Sequence, residues 1–342
     1  MYTAAPMKRA LLAVAAALSL AASGACSSDL PAASFIDKLR VLAVRAQPPE
    51  VTPAQPMTTL DYLAVEPRVP QLDGGTAPSP LSAVWLACAL PSGTLTVAPC
   101  GVGGGLSATM IPPFCKDEPS APLCIIGTDP TATYTPDASV LAGAPSAEIL
   151  LTVAVADTPD GAMGCLLDIA NNDGLPTNPD HCVVALKRLT VSTSAAPNAN
   201  PGFKQFYATT PSGYAIDFGT GGGPWQYAPG EDLASWDIAA IRDDAAAERK
   251  PDGTYEALTV SWFTTAGHLD GGRSLYLPPG CNQPSQCETQ VPEDGADTLW
   301  FAPTQSQASG FLDASGTVDF WAVLRDDRGG VGWTDGTLTL TH

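Results

Sequence analysis

The segment TVDFWAVLRDDRGGVGWTDGTLTLT, Thr317 to Thr341, contains two alternating runs on either side of a glycine-rich stretch. Asp326–Gly330 is a strong turn signal, so Thr317–Arg325 and Val331–Thr341 are predicted to form a β-hairpin. Side chains alternate between the two faces of a strand. One face carries Val318, Phe320, Ala322 and Leu324, and the other carries Asp319, Trp321, Val323 and Arg325. The first face is the more apolar, so we predict that it covers the core.

Both halves of the chain contain a proline turn followed, at a similar distance, by an apolar run with a tryptophan. Trp85 and Trp262 each lie in an apolar run typical of a central strand, and both are predicted core residues. The separation from Pro53 to Trp85 is one residue shorter than that from Pro229 to Trp262. We therefore predict an all-β fold made of two immunoglobulin-like β-sandwich domains in tandem.

The predicted domains cover residues 37–195 and 196–342. The first contains an insertion rich in cysteine, proline and glycine at about residues 91–145. The predicted strands besides the hairpin are Leu39–Arg45, Met57–Val65, Ala83–Cys88, Glu148–Asp157, Cys182–Ser192, Phe203–Ala208, Leu233–Ile241 and Leu258–Phe263.

Composition limits the classes of partner. The 342 residues include 32 glycines and 33 prolines, so turns should be frequent and helices scarce. The formal net charge is −19, and only 15% of the residues are charged. So negative a chain is poorly suited to binding nucleic acid or anionic lipid surfaces.

Residues 1–25 have the organisation of a bacterial secretory signal peptide. Lys8 and Arg9 form a basic start, and the apolar run Ala10–Ala22 follows. This run is shorter than the roughly 20 residues that a membrane-spanning helix needs. We therefore expect the chain to be exported.

A lipid anchor is expected at Cys26. Leu20–Cys26 resembles a lipoprotein lipobox, although Ser23 occupies the position where an aliphatic residue is usual. Residues 26–36 would then be a lipid-anchored tether. Ser27 favours the bacterial outer membrane, with the protein facing the periplasm or the cell surface. The alternative is cleavage by ordinary signal peptidase, which the small residues before Cys26 would also allow.

The remaining eight cysteines predict four disulfides, because an exported chain folds in an oxidising compartment. Proximity favours Cys165–Cys182 and Cys281–Cys287. The other four can pair among themselves in three ways, and they are Cys88, Cys100, Cys115 and Cys124. Structural zinc is disfavoured, because no Cys-x2-Cys pair exists and the three histidines are scattered.

The one segment with a possible metal-binding pattern runs from Asp168 to Gly174. Asp168, Asn171 and Asp173 are weak calcium-ligand candidates, since the pattern is out of step with a calcium loop and lacks its final glutamate. The alternative is an Asx-rich turn inside the Cys165–Cys182 loop. We expect no resident cofactor.

Three segments resemble uncharacterised cell-envelope lipoproteins of myxobacteria. They are Leu39–Val51 (LRVLAVRAQPPEV), Val260–Gly267 (VSWFTTAG) and Phe320–Val331 (FWAVLRDDRGGV). The resemblance covers most of the chain after the signal, except the cysteine-rich insertion. It implies an envelope location and immunoglobulin-like sandwiches, and it brings no catalytic residues.

The expected function is that of a non-enzymatic envelope lipoprotein. It would be a structural, adhesion or accessory interaction module, held to the membrane by its lipid and contacting an envelope protein or glycan. The alternative is a carbohydrate- or ligand-binding module using the surface aromatics Trp225, Tyr227, Trp236, Trp321 and Trp333. A hydrolase of unfamiliar type is a third hypothesis, although no Gly-x-Ser-x-Gly elbow is present.

Overall fold

The computed structural model describes residues 33–66, 80–89, 112–172, 175–220, 225–226, 235–283, 287–303 and 316–341. Residues 33–342 belong to one compact unit. The fold is mostly β, as predicted.

The first half of the chain contains two sheets that pack face to face, here called the first sandwich. One is three-stranded in the order β1-β3-β6, and the other is five-stranded in the order β2-β8-β7-β4-β5. The elements are β1 (Arg40–Gln47), β2 (Glu50–Val51), β3 (Thr58–Val65), β4 (Ser82–Ala89), β5 (Leu123–Gly127), β6 (Ala132–Tyr134), β7 (Ser146–Ala156), α1 (Gly161–Asn171) and β8 (Cys182–Ser192).

The second half contains two five-stranded sheets, here called the second sandwich. Their orders are β10-β9-β12-β16-β14 and β11-β18-β17-β13-β15. The strands are β9 (Phe203–Thr209), β10 (Ala215–Asp217), β11 (Trp225–Gln226), β12 (Ser235–Arg242), β13 (Thr259–Thr264), β14 (His268–Leu269), β15 (Arg273–Leu275), β16 (Gly295–Phe301), β17 (Thr317–Arg325) and β18 (Val331–Thr341). Short 3-10 turns cover Ala138–Leu141, Phe218–Thr220 and Asp244–Ala246.

Each sandwich is organised around a buried tryptophan. Trp85 lies among apolar side chains from both sheets of the first sandwich, and its indole N–H donates to the carbonyl of Asp129 at 3.0 Å. Trp262 has the same place in the second sandwich and donates to Ser274 Oγ at 2.9 Å. A buried indole needs such a partner. The prediction that both tryptophans are core residues is confirmed.

The terminal hairpin has the predicted strand bounds, with Thr317 opposite Thr339 and Arg325 opposite Val331. Its predicted core face, represented by Phe320 and Leu324, is buried inside the second sandwich. The opposite face is also largely buried, because β1 of the first sandwich covers it. This second contact was not predicted from the sequence.

Helix α1 includes Asp168–Asn171, the start of the segment where the sequence suggested a turn or a calcium loop. Its face formed by Ala162, Cys165, Leu166 and Ile169 packs on the outer side of β4 and β7. These positions have the spacing of an amphipathic helix. Helix α1 forms here because its apolar face and the apolar sheet surface beneath it are both removed from water when they pack together.

The predicted insertion contributes strands to both sheets of the first sandwich. Strand β5 pairs with β4, where Ile125 lies opposite Leu86, and β6 pairs with β3, where Tyr134 lies opposite Thr58. Strands β10, β14, β15 and β16 were not predicted either. The part of the insertion that the structure describes is therefore integral to the fold.

Candidate functional site: the interface between the two sandwiches

The outer face of β1 packs against the outer face of the terminal hairpin. Leu42 and Ala43 of β1 are buried against Val323 and Val331, and Trp321 lies half-buried beside them. Strand β17 is therefore covered on both faces, although its outer face also carries Asp319 and Arg325. We refer to this contact and the polar network beside it as the inter-sandwich interface.

Arg45 adds a mixed contact at this interface. Its guanidinium lies 4.0 Å from the centre of the Trp333 ring, and its Nε donates to Asp61 at 3.0 Å. A cation stacked on an indole and paired with a carboxylate contributes to both packing and charge balance. This contact ties β1 and β3 to β18.

Arg328, in the turn of the hairpin, is the centre of the polar network. Its guanidinium is 2.9 Å from a carboxylate oxygen of Glu50, 3.1 Å from Glu256 and 3.7 Å from Glu248. Glu50 belongs to the first sandwich, whereas Glu248 and Glu256 belong to the second. Glu50 also accepts a hydrogen bond from Ser192 Oγ. One arginine therefore bridges carboxylates from both sandwiches.

Asp326 fixes the shape of the turn that presents Arg328. Its Oδ1 accepts hydrogen bonds from the backbone N–H groups of Arg328 at 2.9 Å and Gly330 at 2.7 Å. Its Oδ2 accepts from Asn198 Nδ2 at 3.2 Å. An aspartate that caps its own turn in this way holds the following residues in place.

The segment that connects β8 to β9, here called the connecting segment, is hydrogen-bonded to both sandwiches. The backbone N–H of Asn198 donates to Glu50 at 2.7 Å. Asn200 donates from Nδ2 to the carbonyl of Ala46 at 2.7 Å and accepts from the N–H of Val331 at 2.8 Å. Because each asparagine contacts both sandwiches, the connection is part of the interface.

Two glycines of the hairpin allow this connection to approach closely. A Cβ atom at Gly332 would collide with the carbonyl of Pro201, and one at Gly330 would collide with Asp326 and Ala199. The backbone itself provides the contact surface here. The Gly-Gly-Val-Gly run thus serves the interface as well as the turn.

The carboxyl group of Glu256 is the strongly perturbed acid of the network. Burial, together with the nearby charges of Asp326 and Glu248, raises its pKa to about 8, although Arg328 acts in the opposite direction. Glu256 is therefore protonated at neutral pH. The charge of Arg328 is then balanced chiefly by Glu50.

A cavity of about 340 Å³ lies at the edge of the first sandwich, beneath the hairpin turn. It is bounded by β1, by residues 185–188 of β8 and by the end of β17 with its turn. Lys187, which is buried, and Arg325, which is half-buried, line it. Burial lowers the pKa of Lys187 to about 8, with Asp326 opposing that change, and it also lowers the pKa of Arg325.

The structure contains disulfides Cys165–Cys182 and Cys281–Cys287, as proximity predicted. It also contains Cys115–Cys124, one of the pairings left open. Cys88 is disulfide-bonded as well. Cys26, the predicted lipidation site, and Cys100 lie outside the described residues.

The calcium candidates are not brought together in the part that the structure describes. Asp168 lies on α1, and its carboxylate accepts hydrogen bonds from Asn172 Nδ2 at 2.8 Å and from the N–H of Thr177 at 2.6 Å. Asn171 is the last residue of the helix, and Asp173 lies outside the described residues. Among described side chains, no group of three or more histidines, cysteines and acids could hold a metal ion.

The predicted aromatic platform is divided between two places. Trp236 packs against the core of the second sandwich, with its ring centre 5.9 Å from that of Trp300. Trp321 and Trp333 pack at the inter-sandwich interface. The side chain of Trp225 and the whole of Tyr227 lie outside the described residues. The three described tryptophans are thus half-buried in two separate clusters.

One further pair was missed from the sequence. His181 Nδ1 lies 2.8 Å from Asp157 Oδ2, and Glu66 is close enough for both to affect its pKa, which burial raises. Within the described chain, no serine, threonine or cysteine is hydrogen-bonded to His181.

The roles of the interface residues could not be predicted from their local sequence. Arg328 lies in a predicted turn, but nothing local indicates that it contacts Glu50, far away in the sequence. Lys187 occupies an alternating strand where a lysine is normally exposed. Both roles arise from the packing of one sandwich on the other.

No protein-family model matches the chain, and comparison with curated proteins gives no match. One similar solved structure is that of a protein called BspA_C_mut, with 11% identity over 89% of this chain and 99% of that chain. The TM-score of 0.23 is too low for this likeness to support an argument about fold or function. No helix in the described part of the chain is long and apolar enough to span a membrane.

Proposed function

We propose that this chain is a non-enzymatic lipoprotein of the bacterial cell envelope. It acts as a structural, adhesion or accessory module that presents two immunoglobulin-like domains in one fixed arrangement. The observation that carries the proposal is the inter-sandwich interface, where an apolar contact and the Arg328 network join both halves. An interface of this kind suits a protein that holds partners at a set distance and orientation.

The repeated sheet plan supports the immunoglobulin-like assignment. In each half, a short strand runs parallel to the last strand, β2 with β8 and β11 with β18. The tryptophan-bearing strands β4 and β13 each pair with the penultimate strand of their half. A second sheet closes each core. This arrangement is typical of immunoglobulin-like sandwiches, and it favours domains at residues 37–195 and 196–342.

The disulfides support export from the cytoplasm. Three complete disulfides occur within the described residues, and such bonds persist in oxidising compartments. Together with the basic and apolar leader before Cys26, they favour the envelope location implied by the resemblance to myxobacterial lipoproteins. Lipid attached at Cys26 would hold the protein at the outer membrane.

Lipid attachment is tested by growing expressing cells with a radiolabelled fatty acid. The wild-type chain should incorporate the label and fractionate with the outer membrane. Cys26→Ala should lose the label, while the matched control Ser27→Ala, which keeps the cysteine, should retain it. An unlabelled wild-type chain, or equal labelling of Cys26→Ala, would refute the anchor.

The interaction role is tested separately by crosslinking in whole cells. The tagged chain should crosslink to a discrete envelope protein or glycan. Arg328→Ala, which disturbs the relative placement of the sandwiches, should reduce that product, whereas Arg188→Ala should not. A crosslink pattern identical for both variants and the wild type would show that the fixed arrangement is irrelevant to the interaction.

Ligand binding is the second candidate function. The aromatic platform does not favour it, because its described tryptophans are half-buried in different clusters. The cavity beneath the hairpin turn does favour it, since the buried Lys187 and the half-buried Arg325 both line it.

A further inference from the structure

The cavity beneath the hairpin turn contains two cations without a carboxylate partner among the described residues. Lys187 has only 7% of its surface exposed, and its ammonium donates to the carbonyl of Gly329. Arg325 donates to the carbonyl of Leu42 at 2.7 Å and to Ser261 Oγ at 3.1 Å. These acceptors are neutral, so no described residue compensates either charge by an ion pair.

Both cations also have more N–H donors than their contacts with the described residues use. An ammonium group has three N–H donors and a guanidinium has five, and the contacts above use only part of them. A buried charge without a counter-ion is costly. The lowered pKa values of Lys187 and Arg325 are the consequence of this burial. The site is therefore arranged to favour an added anion.

The other charged groups at the cavity are already engaged. Asp326 accepts hydrogen bonds on both oxygens, from two backbone N–H groups and from Asn198. Arg188 is paired with Glu148 at 2.8 Å. Two uncompensated cations thus face one occupied carboxylate, so a ligand with a single negative charge would neutralise the lining.

The remaining lining is largely apolar. Val41, Leu42, Val44 and Val331 are among the lining residues. The volume of about 340 Å³ falls at the small end of ligand pockets, which span roughly 300–1,000 Å³. A small molecule with a hydrocarbon part would fit both the volume and the lining.

We propose that this cavity binds a small organic acid through one carboxylate placed between Lys187 and Arg325. The hydrocarbon part of the acid lies along Val41, Val44 and Val331. This site makes the chain a receptor for a monocarboxylate at the interface between its two sandwiches. The ligand would bridge β8 of the first sandwich and β17 of the second, so binding would also stabilise their contact.

Titration calorimetry with three probes tests the site on the purified full chain at pH 7. Hexanoate supplies the carboxylate and the hydrocarbon, acetate only the carboxylate, and hexanol only the hydrocarbon. Hexanoate should bind saturably, and acetate and hexanol should each bind at least tenfold more weakly. No saturable binding of hexanoate, or equal affinity for hexanol, would overturn the proposal.

The hexanoate affinity of two lysine variants tests whether the ligand binds in this cavity. Lys187→Met should weaken hexanoate binding at least tenfold, because it removes the charge and keeps the side-chain length. The matched control Lys204→Met removes an exposed lysine on β9, outside the cavity, and should leave the affinity unchanged. Equal affinity of wild type and Lys187→Met would place hexanoate elsewhere.

A spectroscopic readout on the unmodified chain does not depend on the folding of a variant. In a chain with isotope-labelled lysines, the NMR signal of Lys187 should titrate near pH 8, because burial lowers its pKa. Saturating hexanoate should move that midpoint to higher pH, because a bound carboxylate favours the charged ammonium. An unmoved midpoint would contradict contact between the ligand and Lys187.

Discussion

At the scale of single residues, Arg328 and Glu256 determine how charge is balanced between the sandwiches. Arg328 faces Glu50 from one sandwich and Glu248 and Glu256 from the other. The side chain of Glu256 is 1% exposed, and its raised pKa keeps it neutral at pH 7. The network therefore combines one buried ion pair with a protonated acid, and each part has a distinct experimental signature.

Replacing Arg328 with alanine should be strongly destabilising. The change leaves Glu50 buried without its cation, and breaking a buried pair in this way typically costs about 3–5 kcal/mol. Arg188→Ala is the matched control, because it removes an exposed arginine paired with exposed Glu148 and should cost about 0–1 kcal/mol. Urea denaturation measures both, and equal losses would contradict the role assigned to Arg328.

Glu256 should make stability fall as pH rises towards 8. The folded pKa of about 8 lies above the ordinary value of 4.5. Between these values the folded chain holds a proton that the unfolded chain has released, so the free energy of unfolding decreases with rising pH. Below pH 8 Lys187 carries the same charge in the folded and the unfolded chain, so it does not oppose this trend.

The measurement is denaturation at pH 5.5 and pH 7.5. Glu256 should account for a loss of about 2 kcal/mol between these pH values. In Glu256→Gln, whose side chain cannot titrate, that part of the loss should vanish. A variant with the same pH dependence as the wild type would show that Glu256 is not the group responsible.

At the scale of elements, the hairpin was predictable and its second contact was not. Alternation placed Phe320 on the core face, and the turn signal gave the strand bounds. Burial of Val323 on the other face depends on β1, which lies in the other half of the sequence. The apolar residues of helix α1, from Ala162 to Ile169, have helical spacing in the sequence. The polar residues around Asp168 instead suggested a loop, so the helix was not predicted. Lys187 had no local signal, because its burial results from the approach of the hairpin turn.

Gly332→Ala should weaken the contact between the hairpin and the connecting segment. The added methyl group would overlap the carbonyl of Pro201, so the backbone would have to move, at a cost of about 1–3 kcal/mol. Gly127→Ala in β5 is the matched control, since its Cβ would have ordinary contact at 3.5 Å from Ala132. Thermal denaturation should show a lower midpoint for Gly332→Ala than for Gly127→Ala, and the reverse order would contradict the role assigned to Gly332.

At the scale of the whole molecule, the all-β class, the core tryptophans and two local disulfides followed from the sequence. The contact of one sandwich with the other did not. It depends on residues far apart along the chain, such as Glu50 with Arg328 and Leu42 with Arg325. Apolar contact, ion pairing and the bound connecting segment all occur at this single interface. The central claim is that they make the two sandwiches unfold as one unit.

Differential scanning calorimetry of the purified chain tests this claim most directly. We predict one endotherm, with equal calorimetric and van't Hoff enthalpies, for the wild type. Arg328→Ala should lower the midpoint and separate the endotherm into two, whereas Arg188→Ala should leave it single. Two resolved transitions in the wild type, at temperatures unaffected by Arg328→Ala, would contradict the claim.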